Sequence, residues 1–355
     1  MDASCAIYLQ GRRRLAGSPK NATRYRRGPT RYAFCITFLL LILLSLVDCS
    51  IVLGWNGHET ITLYALRNVP ELSRFSRIMP KSYSYEDIDK DKYNPKFEIK
   101  YVAGEGMGPL SALQILTSYA SEPDWDLDTG LSIHPLQALT GGSQGWRHQR
   151  YLLFNGLVRV GAAPQRAAHF YELSLEAYKR GDFYWAFRFL ARALHYVQDC
   201  GQPLHSLPIP ERDLISRYKL NMERVQNIGK NVHYNLEAFI RYHLNSRTPK
   251  LMQAIEGKNY PEIDDVRQAA SELNEIARGY AERQYRLAIE IWPRLEENRE
   301  INLGWGDFTG AGPKEKVDDL LDIVAKTLQE TAYYSRGLIY KFFHDINQVG
   351  QGPSV

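Results

Sequence analysis

His195-Tyr-Val-Gln-Asp199 and His233-Tyr-Asn-Leu-Glu237 each set an imidazole and a carboxylate four residues apart. On a helix, side chains at i and i+4 share one face about 6 Å apart, so each pair can reach a single metal ion. Between the pairs, Asp199-Cys-Gly-Gln-Pro-Leu-His205 ends the first helix at Gly201 and Pro203 and turns His205 towards the second pair. Neutral imidazole and carboxylate are preferred zinc ligands, and three protein ligands plus a water form the usual catalytic shell. The plainer reading of either pair alone is a hydrogen bond on a helix surface. His195, however, follows Phe189, Leu190 and Leu194 on an apolar helix, where a buried imidazole needs a partner.

The rest of the chain after Trp55 supports helices around these pairs. Period-2 alternation is scarce, and 3.6-residue periodicity is common. Gln165 to Lys179 and Phe183 to Val197 read as two apolar-faced helices joined at Arg180-Gly181-Asp182. Residues 211–247, 261–297 and 313–346 give further long helical stretches, and residues 310–313 read as an interhelical turn. The polar, Tyr-rich stretch from Lys81 to Gly108 reads as a surface loop or insertion. The expected fold class is all-α, with one multi-helix domain over residues 55–355.

Residues 1–54 read as an export segment. A polar, Arg-rich head precedes an uninterrupted apolar run from Ala33 to Val47. Fifteen residues span roughly 22 Å as a helix, short of the roughly 30 Å of hydrocarbon, which suits a signal-peptide core. Val52 and Gly54 occupy the −3 and −1 positions of a cut before Trp55. The alternative is an anchor retained through residues 33–53. The expected location is therefore secreted or extracytoplasmic. Cleavage removes Cys5, Cys35 and Cys49 and leaves Cys200 alone, so the exported fold must hold without a disulfide. The formal charge of +4 belongs to this head: its eight Lys/Arg against two Asp leave 36 basic and 38 acidic groups beyond it. No broad basic field remains to attract double-stranded nucleic acid.

Further candidates lie upstream of the helical pairs. A freed Trp55 amino group and the Trp55 carbonyl would sit beside His58, three residues on. His148 follows a Gly-Gly-Ser-Gln-Gly loop, a setting suited to a functional side chain. Asp124 is one of three close aspartates with Asp126 and Asp128. A surface histidine or a turn-capping aspartate is the ordinary alternative at each. His134, His169, His243 and His344 have no such setting. Trp125, Trp146, Tyr184 and Trp185 read either as an aromatic entrance or as core.

The segment from Gly181 to His205, ending in H-Y-x-x-D-x-x-x-P-x-H, resembles the zinc-dependent phospholipase C family, which includes secreted bacterial lecithinases and the catalytic domain of clostridial alpha-toxin. His233-x-x-x-Glu237 and the final stretch from Tyr333 to Phe343 are similar to that family's later helices. The resemblance runs from Trp55 to about Phe343 and implies three zinc ions. His148, His195 and Asp199 would hold one. The Trp55 amino and carbonyl groups, His58 and a bridging Asp199 would hold its neighbour. His205, His233 and Glu237 would hold the third. Asp124 matches the family's general base or water-orienting group. Two features depart from the pattern: a shorter Trp-to-His gap and the 81–108 insertion.

Single-strand-specific zinc nucleases resemble the same helical pattern, and Trp55-Asn-Gly-His58-Glu-Thr is closer to their start. Those nucleases carry Asp where this chain has Glu237, and they carry disulfides. The expectation is thus a phospholipase C acting as a monomer on phospholipid at a membrane surface. The alternatives are the nuclease and a helical protein that keeps metal for stability alone. N-terminal sequencing of the exported protein should begin at Trp55. A start elsewhere removes the amino ligand and leaves the His58 metal unsupported.

Overall fold

The computed structural model describes residues 57–85, 108–125, 128–154, 156–310 and 312–349, all within one compact unit. Residues 1–54, Trp55 and most of the 81–108 stretch lie outside the described residues. The architecture is all-α. Its centre is a helical hairpin, α4 (Ala163–Lys179) and α5 (Phe183–Cys200). Gly181 takes a left-handed φ of 71° at the break, and Asp182 caps α5 by accepting a bond from Trp185 N at 3.3 Å. From Tyr184 to Cys200 every residue of α5 is buried. A helix covered on all sides is a core element.

Other helices supply the cover. α1 (His58–Leu66), α2 (Ala112–Tyr119), α9 (Val266–Ile291) and α11 (Lys314–Val349) all pack against α5. α3 (Ser143–His148) lies beside it. The 211–247 stretch divides into α6 (Glu211–Ser216) and α7 (Met222–Asn245). The break holds Lys219 and Leu220 at φ of 49° and 56°, a conformation that no helical periodicity announces. α8 (Pro249–Ile255) and α10 (Trp305–Thr309) complete the α-helices among the described residues, and Gly310, Gly312 and Pro313 lie between α10 and α11.

One element is absent from the sequence expectation. β1 (Tyr151–Leu153) and β2 (Val158–Val160) form a two-stranded antiparallel hairpin, with Tyr151 opposite Val160. Three-residue strands are too short to show an alternating pattern. At the hairpin's first strand, Arg150 N and Leu152 N donate to His205 O and Ser206 O, each at 2.9 Å. Those bonds pin the turn that carries His205.

Gly201, just beyond α5, meets α11 at close quarters. A Cβ there would lie 2.0 Å from Thr331 Oγ1. Gly201→Ala should therefore destabilise the fold by about 1–3 kcal/mol through overpacking. Thermal unfolding checks this: the melting temperature should fall, and adding Thr331→Ala should recover part of the loss. An unchanged midpoint would mean that the two elements separate freely.

Candidate metal centre

Six elements deliver the candidate ligands to one place. Gly57, at φ 138° and too close to Leu244 Cδ1 for a Cβ, lets the chain enter α1 so that His58 is its first residue. His195 and Asp199 occupy the last turns of α5. His205 ends the 3-10 turn Pro203–His205, and His233 and Glu237 face it from α7. His148 closes α3, and Asp124 closes the 3-10 turn Glu122–Asp124.

Asp199 is the hub. Its Oδ2 lies 2.9 Å from His148 Nδ1 and 3.1 Å from His195 Nε2. Its Oδ1 lies 3.6 Å from His58 Nε2 and 3.4 Å from His205 Nδ1. Asp124 approaches the same nitrogens, 3.5 Å from His148 Nδ1, 3.7 Å from His195 Nε2 and 3.9 Å from His58 Nε2. Beyond Asp199, Glu237 Oε1 stands 3.0 Å from His233 Nε2 and 3.4 Å from His205 Nε2. The His205 and His233 rings stack at 5.0 Å.

The outer nitrogens decide what the inner ones can do. His195 Nδ1 donates to Ala120 O at 2.8 Å, His58 Nδ1 meets Gln198 Oε1 at 2.8 Å, and His148 Nε2 meets Asp128 Oδ2 at 3.1 Å. A neutral imidazole that donates outward presents a bare lone pair inward. His148 Nδ1 and His195 Nε2 are only 2.9 Å apart, and they point at carboxylate oxygens as well. Lone pairs facing lone pairs demand a positive centre between them. Buried atoms of Asp124, Asp199, His205, His233 and Glu237 also find no hydrogen-bond partner. Such orphaned acceptors are rare unless an ion satisfies them.

Three sets bring their ligating atoms within 4.8 Å of one another: His58/His195/Asp199, Asp124/His148/His195 and His205/His233/Glu237. They form a candidate multi-metal centre. The donor chemistry suits zinc.

Electrostatics separate the carboxylates. Burial would raise Asp199, but His195, His205 and His148 outweigh it and hold the carboxyl well below the usual range. Burial is likewise overcome at Glu237 by His233 and His205, which draw it down to about 2. At Asp124 burial wins over His148 and His58 and pushes the carboxyl up to about 7. Burial lowers His58 and His195, whereas at His148 the charges of Asp199, Asp128 and Asp124 override burial and lift the imidazole to about 10. A proton on His148 meets the same demand for positive charge that a cation would.

All the expected ligands except Trp55, which lies outside the described residues, sit in or beside these sets. His134, His169, His243 and His344 belong to none of them. Tyr184 and Trp185 are fully buried core residues, while Trp125, next to Asp124, is 43% exposed. Asp128, Gln198 and Glu122 also shape the site. Asp128 had a visible signal in the Asp124/Asp126/Asp128 cluster. Gln198 had none, because its partner His58 is 140 residues away. Arg188 and Arg192, four apart on an apolar helix, signalled a buried counter-charge, and Glu122 supplies it.

No family model and no curated protein matches the chain. Among solved structures, the alpha toxin from Clostridium absonum is similar at a TM-score of 0.35 and 13% identity, over 82% of this chain and 64% of the toxin. The chain thus spans less than two thirds of the toxin's length. At that level the likeness says nothing about chemistry.

Glu122 is 1% exposed and pairs with both guanidinium groups, so Glu122→Ala removes the carboxylate that neutralises two buried cations. The loss should be about 3–5 kcal/mol, read as a shift in a denaturant titration. Burial would raise the Glu122 carboxyl, but Arg192 and Arg188 hold it below its ordinary value. The stabilisation is accordingly complete at neutral pH and fades as pH falls through the depressed native pKa. A wild-type midpoint in the variant would remove the pair from the account of stability.

Proposed function

We propose that the chain is an exported zinc-dependent phosphodiesterase of the phospholipase C type. It cleaves the glycerol-side phosphodiester bond of phospholipids as a monomer, releasing a diacylglycerol and a phosphorylated head group. The observation that carries this reading is the convergence of three histidine–carboxylate sets from six separate elements. The H-Y-x-x-D-x-x-x-P-x-H run and the His233/Glu237 pair supply the resemblance behind the choice of reaction.

In this reading His148, His195 and Asp199 would hold one zinc, and His58, Asp199 and the Trp55 terminus would hold its neighbour. His205, His233 and Glu237 would hold the third. Bound zinc supplies positive charge for the phosphate oxygens and Lewis acidity towards water. The protein does the rest. Asp199 and Glu237 neutralise only part of that charge, leaving a surplus for an anionic diester as its own charge grows. Gln198, Ala120 O and Asp128 fix the ring orientations. Asp124, the most exposed of the site carboxylates at 14%, orients the attacking water and accepts its proton. The exposed Trp125 stands beside the approach.

Export rests on the sequence of residues 1–54. No described helix is long and apolar enough to cross a membrane. The competing reading, a single-strand nuclease, draws on the Trp55-Asn-Gly-His58 start, and Glu237 and the charge beyond residue 54 count against it. A purely structural zinc site is closed by four protein ligands, unlike these sets of three.

Purified exported protein offered phosphatidylcholine and single-stranded DNA in parallel should hydrolyse the lipid, and a chelator should stop it. His195→Ala and Asp199→Ala should each fall to background with less zinc bound. Full activity in either variant with zinc content unchanged would sink the site. Cleavage of DNA alone would replace the lipase with the nuclease.

A further inference from the structure

Asp128 sits one layer outside the ligand sets and is buried, as are Arg147 and Tyr196. Its Oδ1 accepts from Arg147 Nη1, and its Oδ2 accepts from Tyr196 Oη at 2.6 Å. The same Oδ2 lies 3.1 Å from His148 Nε2. On the other side of the ring, His148 Nδ1 faces Asp199, His195 and Asp124. The imidazole is thus strung between a carboxylate behind it and the candidate metal position in front.

His148 needs that support more than the ligands on long helices do. His195 and His233 ride on helices of 18 and 24 residues. His148 ends a helix of only six residues, and the next residue, Gln149, is already extended at φ −119°, ψ 160°. The backbone alone gives its ring little rigidity. Its backing group also differs in kind: His195 leans on a peptide carbonyl and His58 on an amide oxygen, both neutral. An ionised carboxylate behind an imidazole fixes the tautomer and makes the opposite nitrogen a stronger donor to a metal.

We propose that Asp128 is a positioning residue that commits His148 to Nδ1 as its metal-ligating atom, with Arg147 and Tyr196 holding Asp128 in place. The inference rests on the metal reading of the centre but not on the substrate assigned to it. Each donor has its own task. Arg147, next to His148 in the chain, keeps the carboxylate charged beside the ring. Tyr196, one residue after His195 on α5, ties the carboxylate to the helix that carries the next ligand.

Zinc titration of the full exported protein against a chromophoric chelator tests this in wild type, Asp128→Asn and Tyr196→Phe, with circular dichroism and a thermal melt on each. Asp128→Asn should keep the fold and bind one of its zinc ions about 10–100-fold more weakly. Tyr196→Phe should shift the same ion by a smaller factor. Nitrogen-15 spectra of labelled histidine should place the wild-type His148 proton on Nε2, and the signal should move in Asp128→Asn. Zinc affinities within twofold of wild type in a folded Asp128→Asn overturn the proposal. If that variant does not fold, an unchanged affinity in Tyr196→Phe overturns it instead. A wild-type protein that binds no zinc overturns the metal reading itself, a result distinct from wild type and variant binding alike.

Discussion

The buried charge of Asp199 organises this molecule. A carboxylate taken wholly out of water costs several kcal/mol unless partners repay it. Here the partners are imidazoles from α1, α3, α5 itself and the turn after it, all within 3.6 Å of its oxygens. Each ring has a second partner on its far side, Gln198, Asp128, Ala120 O or Glu237, and turns its inner nitrogen to Asp199. The four segments must therefore arrive together, and the packing of α5 beneath them serves that meeting. Removing the charge would take away the one group that all four histidines share.

The central helix shows how one sequence meets two demands. Its apolar residues face the surrounding helices, yet Arg188, Arg192, His195 and Asp199 recur at helical spacing as a buried polar stripe. Each member of the stripe finds a partner on the segment after α2 or on the ligand elements. Ala120 O binds His195, Glu122 binds both arginines, and Asp124 faces His148 and His195. Residues 120, 122 and 124 are thus held by α5 at every second position. The place of Asp124 is set by an ion pair two residues away that has no part in the chemistry. A carboxylate among the ligand sets is thus located by something other than its own charge.

The helices were legible because their apolar spacing extends over many residues. The α4–α5 hairpin and its Arg180-Gly181-Asp182 break appear almost where the periodicity puts them. The His195/Asp199 and His233/Glu237 pairs were legible for the same reason, since four residues on a helix fix a distance. Contacts made across the chain were not. Nothing local links Gln198 to His58, or Asp128 to His148, because each bond is a product of tertiary packing. The β1–β2 hairpin escaped for want of length, and the break before α7 depends on left-handed residues that are not glycine.

The exposure of the ligands gives the centre a direction. His58, His195 and Asp199 are sealed, and His148, His205 and Glu237 are almost so. Asp124, at 14%, and His233, at 6%, are the members that touch solvent. Solvent therefore reaches the centre chiefly past Asp124 and the neighbouring Trp125. The carboxylate met first is the one that burial has brought to about 7, while the sealed Asp199 stays ionised under its imidazoles. Two carboxylates in one cavity are driven in opposite directions by their surroundings, Asp199 towards the ionised form and Asp124 towards the protonated one.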